Sequence, residues 1–266
     1  MTNIVQLGPF MFAADRLFAV ALLVIFTLAV GKIGEKTGRD AAKAALWALV
    51  AGILAARFAY IVLHLEAYSQ DWWLALAFWQ GGFSVWAGIA IAAVVMVMML
   101  GINRTSGFSL AVIAALSLAW AGGNVLLRSP PQALPDMPVL ITLEGGKIEP
   151  ESLRGRPFVI NLWATWCPPC RRELPMLADV AASSDVPILL VNQAEPAEQV
   201  ERYLTEANIA SDAIALDQDG ELMRILEGGA LPTTLFIDER GDIVATHLGE
   251  ISRAALLDQI SQLEKK

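Results

Sequence analysis

Apolar positions are spread unevenly along this chain. Four long apolar stretches, residues 12–30, 44–63, 83–102 and 108–127, fill the first half. Each is close to the ~20 residues that a helix needs to cross ~30 Å of hydrocarbon. They predict an N-terminal α-helical membrane domain of four spans. Residues 1–15 hold no Lys or Arg, whereas a cleaved leader carries a basic segment ahead of its apolar run. The first span is therefore expected to remain as an anchor.

After residue 128 the pattern changes to short elements that alternate. Residues 139–143 and 147–148, around Gly145-Gly146, predict a hairpin, while 158–164 and 187–192 are apolar runs suited to strands buried on both faces. Residues 195–208 read as a helix with charges on one face. Residues 234–238 and 243–248 read as strands joined by Glu239-Arg240-Gly241-Asp242, and 252–263 as a closing helix capped by Ser252. Strands and helices in this mixture suit one α/β domain with a central sheet. Between the halves lies Ser129-Pro130-Pro131-Gln132-Ala133-Leu134-Pro135-Asp136-Met137-Pro138, whose prolines remove donors and favour an extended tether. The chain thus divides into a membrane domain (1–128), a linker (129–137) and an α/β domain (138–266).

Composition agrees. Hydrophobic residues make up 56% and charged residues 17% of the chain, with mean hydropathy +0.53, which is rare for a purely water-soluble protein. Residues 1–137 carry 8 Lys+Arg against 6 Asp+Glu, and residues 138–266 carry 11 against 21. The acidic second half has no basic cluster to grip a phosphate backbone, which argues against a nucleic-acid partner.

Lys32, Lys36, Arg39 and Lys43 follow the first span and Arg104 follows the third, whereas the loop from His64 to Gly82 has no Lys or Arg. Positive charge is retained on the cytoplasmic side, so the N-terminus and the second half are expected outside, with Arg128 the one dissenter. Tyr68, Trp72, Trp73, Phe78 and Trp79 suit the headgroup zone as anchors. Arg57 lies within the second span, with His64 seven residues on and on the same helical face. Two readings are open for it: snorkelling to the surface, or facing a polar cavity that binds lipid headgroups or a partner. Asp15-Arg16 allows the same two.

The chemistry sits at Trp163-Ala164-Thr165-Trp166-Cys167-Pro168-Pro169-Cys170, after a buried strand and at the start of a helix running to about residue 182. These are the chain's two cysteines, too few for a structural disulfide framework or a four-cysteine metal site. Their spacing on a first helical turn brings the sulfurs within disulfide reach. Unpaired N–H groups and the helix dipole favour a thiolate at Cys167, the expected nucleophile, with Cys170 the buried resolving thiol. Zinc needs about four ligands, and the second half adds only His247 to the pair, so no resident metal or other cofactor is expected. Transient binding of reduced copper by two thiolates stays open.

Two families resemble the two halves. Leu7-Gly8-Pro9-Phe10, Ala56-Arg57-Phe58-Ala59-Tyr60-Ile61-Val62-Leu63, Trp79-Gln80-Gly81-Gly82-Phe83-Ser84 and Gly123-Asn124 appear in the order found in the prolipoprotein diacylglyceryl transferases. The chain departs from that pattern where the chemistry lies. Phe83-Ser84-Val85-Trp86 stands where the family has a functional histidine, Asp15 where it has a tyrosine, and Trp120-Ala121-Gly122 where it has Gly-Arg before Gly123-Asn124; its later spans are missing. This half reads as a truncated, degenerate scaffold without transferase activity.

The second half, through Asn161-Leu162-Trp163-Ala164-Thr165-Trp166-Cys167-Pro168-Pro169-Cys170-Arg171-Arg172-Glu173-Leu174-Pro175 and Gly229-Ala230-Leu231-Pro232-Thr233-Thr234-Leu235-Phe236-Ile237-Asp238, strongly resembles the TlpA-like, membrane-anchored thioredoxin-fold reductases. The resemblance implies a thioredoxin-like fold and a redox-active Cys167–Cys170 disulfide. It also implies a cis bond at Leu231-Pro232 beside the sulfurs, where an extended guest chain could add as a strand. Trp166, Pro168, Leu231 and Pro232 are the expected substrate-binding residues. Thioredoxins have a buried aspartate where this chain has Asn161, which cannot take a proton. In the resembling family a glutamate matching Glu173 moves the proton instead. Arg171 and Arg172 are expected in solvent.

The resemblance therefore implies a membrane-tethered reductase of disulfides in exported proteins, in cytochrome or cuproprotein maturation among other settings, on the periplasmic side of a bacterial inner membrane. The membrane half has no cysteine, so a separate electron donor of the DsbD or CcdA type is expected, with the lipid bilayer as the other partner. Three alternatives stand beside this reading: a disulfide oxidant or isomerase, a lipid-handling enzyme with a fused redox domain, and a copper-delivery module.

Overall fold

The computed structural model describes all residues except 1–3, 8–9, 39, 70–74, 128–129, 227–229 and 266. The expectations for Trp72, Trp73, Arg128 and Gly229, part of the Leu7-to-Phe10 motif and the side chain of Asp15 lie outside the described residues. The chain divides into two compact units, one formed mainly by residues 2–129 and the other mainly by residues 130–266.

The first unit opens with an antiparallel pair, β1 (Ile4–Leu7) and β2 (Phe10–Ala13), and continues into α1 (Ala14–Thr37), α2 (Ala41–Leu63), the short α3 (Leu65–Ser69), α4 (Val85–Leu100) and α5 (Arg104–Leu127). The hairpin was not legible in the apolar pattern, and it moves the start of the first helix to Ala14. That helix also runs beyond residue 30, since Lys32, Glu35 and Lys36 are good helix formers although polar. Asp40 then opens α2, its carboxylate accepting from the Lys43 N–H.

Three of these helices are long and apolar enough to span a membrane, Arg16–Thr37, Ala41–Leu63 and Arg104–Leu126. The helix of the third apolar stretch, Val85–Leu100, has 16 residues and is shorter than the four-span reading expects. It ends where Gly101 takes φ +75°, and Asn103 caps α5 through the N–H groups of Thr105 and Ser106.

Small residues set the packing in this unit. A Cβ on Gly52 would lie 3.0 Å from the Gly88 carbonyl oxygen, and one on Gly88 would lie 2.9 Å from that of Gly52, so α2 and α4 touch through backbone. Arg57 follows neither sequence reading. It is 3% exposed, and its guanidinium donates to the carbonyls of Ala75 (3.0 Å), Gly82 (3.1 Å) and Ala77 (3.4 Å) beside the rings of Tyr68, Phe78 and Phe83. It ties the loop before α4 to α2.

The second unit is an α/β domain around one mixed sheet. Its strands are β3 (Gln132–Ala133), β4 (Leu140–Thr142), β5 (Lys147–Ile148), β6 (Phe158–Trp163), β7 (Ile188–Gln193), β8 (Ile214–Asp217), β9 (Thr233–Ile237) and β10 (Asp242–Leu248), in the order β3-β10-β9-β6-β7-β8-β4-β5. Strands β6, β7 and β8 run parallel, and β9 pairs antiparallel with β6. The helices are α6 (Pro168–Ser183), α7 (Ala197–Ala207), α8 (Glu221–Ile225) and α9 (Arg253–Leu263), the last capped by Ser252 through the Ala255 N–H.

Each face of the sheet carries a core. Val159 and Trp163 of β6 join Leu174, Leu177 and both cysteines on one face, whereas Phe158, Ile160 and Leu162 point to the other. The proline-rich segment contributes β3 to an edge of this sheet, pairing with Asp242 and Ile243, and Leu134 and Met137 pack on the second core. The prolines flank this two-residue edge strand and none lies within it.

Candidate functional site

Strand β6 ends at Trp163 and delivers the chain to Cys167, the N-cap of α6. Cys167 and Cys170 form a disulfide, with Cα atoms 5.3 Å apart. Cys170 is fully buried and Cys167 keeps 3% of its surface, so access to the outer sulfur is narrow.

Pro168 and Pro169 occupy the first two helical positions and carry no N–H. Only the Cys170 amide among the first three is left to face Cys167 Sγ, at 3.3 Å. This corrects the expectation of several unpaired N–H groups around that sulfur, since prolines remove two of the donors that a helix start ordinarily presents.

Of the residues expected to receive a substrate, Trp166 is 68% exposed, Pro168 is exposed, Leu231 is half-buried against the core that holds the cysteines, and Pro232 is buried. The Leu231-Pro232 peptide bond is cis. Pro232 precedes β9, and its carbonyl accepts from the Gly249 N–H at 2.9 Å.

Glu173 lies one turn beyond Cys170 on α6 and is 3% exposed. Its Oε2 accepts from the Ile251 N–H at 2.7 Å and its Oε1 from Asn161 Nδ2 at 3.0 Å. Burial pushes its carboxyl from the ordinary 4.5 up to about 8. The two hydrogen bonds and the Arg172 charge work against that rise, and the Glu250 charge adds to it. Asn161 and Glu173, singled out separately in the sequence, are thus direct partners.

Both arginines are exposed, as expected, and each also has a partner. Arg172 donates from Nε (2.9 Å) and Nη2 (2.6 Å) to Glu250, and the Arg171 guanidinium stands 5.3 Å from the centre of the Tyr203 ring. Among the described residues no three His, Cys, Asp or Glu side chains are gathered as metal ligands would be.

Sequence reasoning missed Glu195. Read as a helix start, it is instead a buried carboxylate before α7 that accepts from Thr165 N (2.7 Å), Thr165 Oγ1 (2.5 Å), Asn192 Nδ2 (2.7 Å) and Gln199 Nε2 (2.6 Å). Thr165 follows β6 and Glu195 follows β7. Because those strands are parallel neighbours, their carboxyl ends lie side by side, and Glu195 pins the loop that carries Trp166 and Cys167. The available signal was a lone acidic residue just past a predicted buried strand.

Sequence comparisons agree with this architecture. The Redoxin family model matches residues 131–265, and the prolipoprotein diacylglyceryl transferase model matches residues 6–125. Sporulation thiol-disulfide oxidoreductase A of Bacillus subtilis is 31% identical over 144 residues, covering 52% of this chain and 87% of its own length. Thiol-disulfide oxidoreductase ResA of Halalkalibacterium halodurans is 33% identical over 183 residues, covering 68% of this chain and 94% of its own. Among solved structures, StoA from Bacillus subtilis is 28% identical with a TM-score of 0.41, covering 47% of this chain and 98% of that one.

Proposed function

Because the chain belongs to the Redoxin family, we propose that it is a membrane-anchored protein-disulfide reductase acting by dithiol exchange. The observation that carries this reading is the Cys167–Cys170 disulfide at the start of α6, with the buried carboxyl of Glu173 one turn on.

In the reduced enzyme the Cys167 thiolate attacks one sulfur of a substrate disulfide. The substrate S–S bond breaks, its other sulfur leaves as a thiolate and takes up a proton, and Cys167 is joined to the substrate. Cys170 then loses its proton to Glu173 and attacks Cys167 Sγ. The substrate's second sulfur leaves and is protonated, and the Cys167–Cys170 bond is restored. Two electrons pass to the substrate, and two protons end on its thiols. Trp166, Pro168, Leu231 and Pro232 form the surface on which the substrate chain lies.

The helix start supports the reductive direction. A strong dithiol oxidant stabilises its reduced form through a strongly favoured thiolate. Here prolines leave Cys167 Sγ one amide donor among the first three helical positions, so that stabilisation is weak.

The substrates are exported proteins with reducible disulfides. The membrane half serves as anchor and docking scaffold in a bacterial inner membrane, with the redox domain on the periplasmic side, as the Lys and Arg pattern of the loops supports. It has no cysteine to relay electrons, so a separate membrane donor of the DsbD or CcdA type recharges the pair. The test is trapping in cells with the full chain. Cys170→Ser should accumulate mixed disulfides through Cys167 with exported proteins and Cys167→Ser none; equal yields from both variants would overturn the assignment.

A further inference from the structure

Asn161 is completely buried on β6, opposite Thr234 of β9. Its Nδ2 lies 3.0 Å from Glu173 Oε1 and 3.0 Å from Thr234 Oγ1, so both amide hydrogens are engaged, yet its Oδ1 has no hydrogen-bond partner. A buried carbonyl oxygen left unpaired beside a group that gains and loses a proton is an acceptor without a donor. Glu173 itself holds the missing donor. Its Oε2 takes the Ile251 N–H, so an added proton resides on Oε1, the oxygen that faces Asn161. With the amide as it stands, that proton would meet an N–H. A half-turn of the amide brings Oδ1 into its place, where one oxygen accepts from both the Glu173 carboxyl and the Thr234 hydroxyl. It also moves the two amide hydrogens to the position that Oδ1 leaves, so a lost pairing there is the cost set against pairing the Glu173 proton.

We propose that Asn161 is a positioning residue with two amide orientations, donating to Glu173 when the carboxyl is ionised and accepting from it when protonated. The carboxyl then keeps its place through the whole proton cycle, and its charge state passes to Thr234, two residues beyond Pro232. An aspartate at position 161 would compete for the proton, whereas an asparagine follows it. The proposal rests on the dithiol-exchange reading for its purpose but not for its geometry. The charged groups facing Glu173 are Arg172 on its own helix and Glu250 between β10 and α9, with His247 of β10 within 3.2 Å of the Glu250 carbonyl oxygen. Strands β6 and β9 present the neutral Asn161 and Thr234.

The test is nuclear magnetic resonance on the full chain in detergent, with asparagine side chains labelled and Asn161 assigned through Asn161→Ser. Above the Glu173 midpoint, about 8, cross-relaxation between the Asn161 amide hydrogens and the Thr234 methyl should be strong, and below it that signal should be lost. In Glu173→Gln it should not change with pH. A signal that persists on both sides of the midpoint, or a pH-dependent loss that survives in Glu173→Gln, overturns the proposal. Should that variant not fold, the wild-type titration decides alone. No substrate enters the measurement, so its failure leaves dithiol exchange standing, and a failure to trap mixed disulfides leaves the amide result standing.

Discussion

The Ile251 N–H donates to Glu173 Oε2 at 2.7 Å, which fastens the turn before α9 to the helix that carries both cysteines. The carboxyl so held is one whose burial outweighs its hydrogen bonds.

That balance fixes how stability depends on pH. The folded chain holds the Glu173 proton up to about 8, whereas the unfolded chain releases it near 4.5, so between those values the folded state binds more protons. The stability contributed by this group is fully present below the unfolded value and is lost as pH rises through the folded one. Glu173→Gln removes the dependence. Relative to wild type, the glutamine variant should gain stability as pH rises across that window, by up to about 1.4 kcal/mol per pH unit, as read by thermal unfolding of both proteins.

Activity should move in the opposite sense. Glu173 can accept the Cys170 proton only when ionised, so wild-type disulfide reduction should increase as pH rises through about 8. Glu173→Gln should lose that limb and fall on the order of 100-fold in the resolving step, measured as release of substrate from a preformed mixed disulfide.

Glu195 is expected to be a structural pin for the active-site loop. Glu195→Ala leaves the donors of Thr165, Asn192 and Gln199 without their acceptor, at a cost of about 1–3 kcal/mol for each one that stays buried. Unfolding temperature should drop, and proteolysis at the Trp166 loop should quicken. Glu195→Gln keeps one acceptor oxygen and should lie between.

The proline pair supplies a further prediction. Pro169→Ala restores an N–H at the second helical position, where it can donate to the N-cap sulfur, and should favour the Cys167 thiolate in the reduced protein. Alkylation rate against pH in the full chain reads this directly.

How far the sequence reached depended on the range of the forces involved. The strand entering Cys167, the α6 start and the Ser252 cap are set by neighbours within a few residues, and all were legible. Strand β8 was not, because Ile214-Ala215-Leu216-Asp217 is four residues with no alternation, held in place by β7 and β4 on either side. Glu195 escaped because its partner Thr165 lies 30 residues away and meets it only through parallel pairing. The length of α1 was underestimated because hydropathy reports burial, whereas Lys32, Glu35 and Lys36 extend a helix by propensity alone. Arg57 was placed correctly in α2, but its carbonyl partners belong to a loop 18 to 25 residues on that no periodicity describes.

The most direct measurement is the equilibrium potential of the Cys167–Cys170 pair in the full chain, titrated against thiol–disulfide buffers of known poise. A reductase whose outer sulfur has so few amide donors should lie near thioredoxin's value of about −270 mV; a potential near about −120 mV, that of a strong dithiol oxidant, would contradict it.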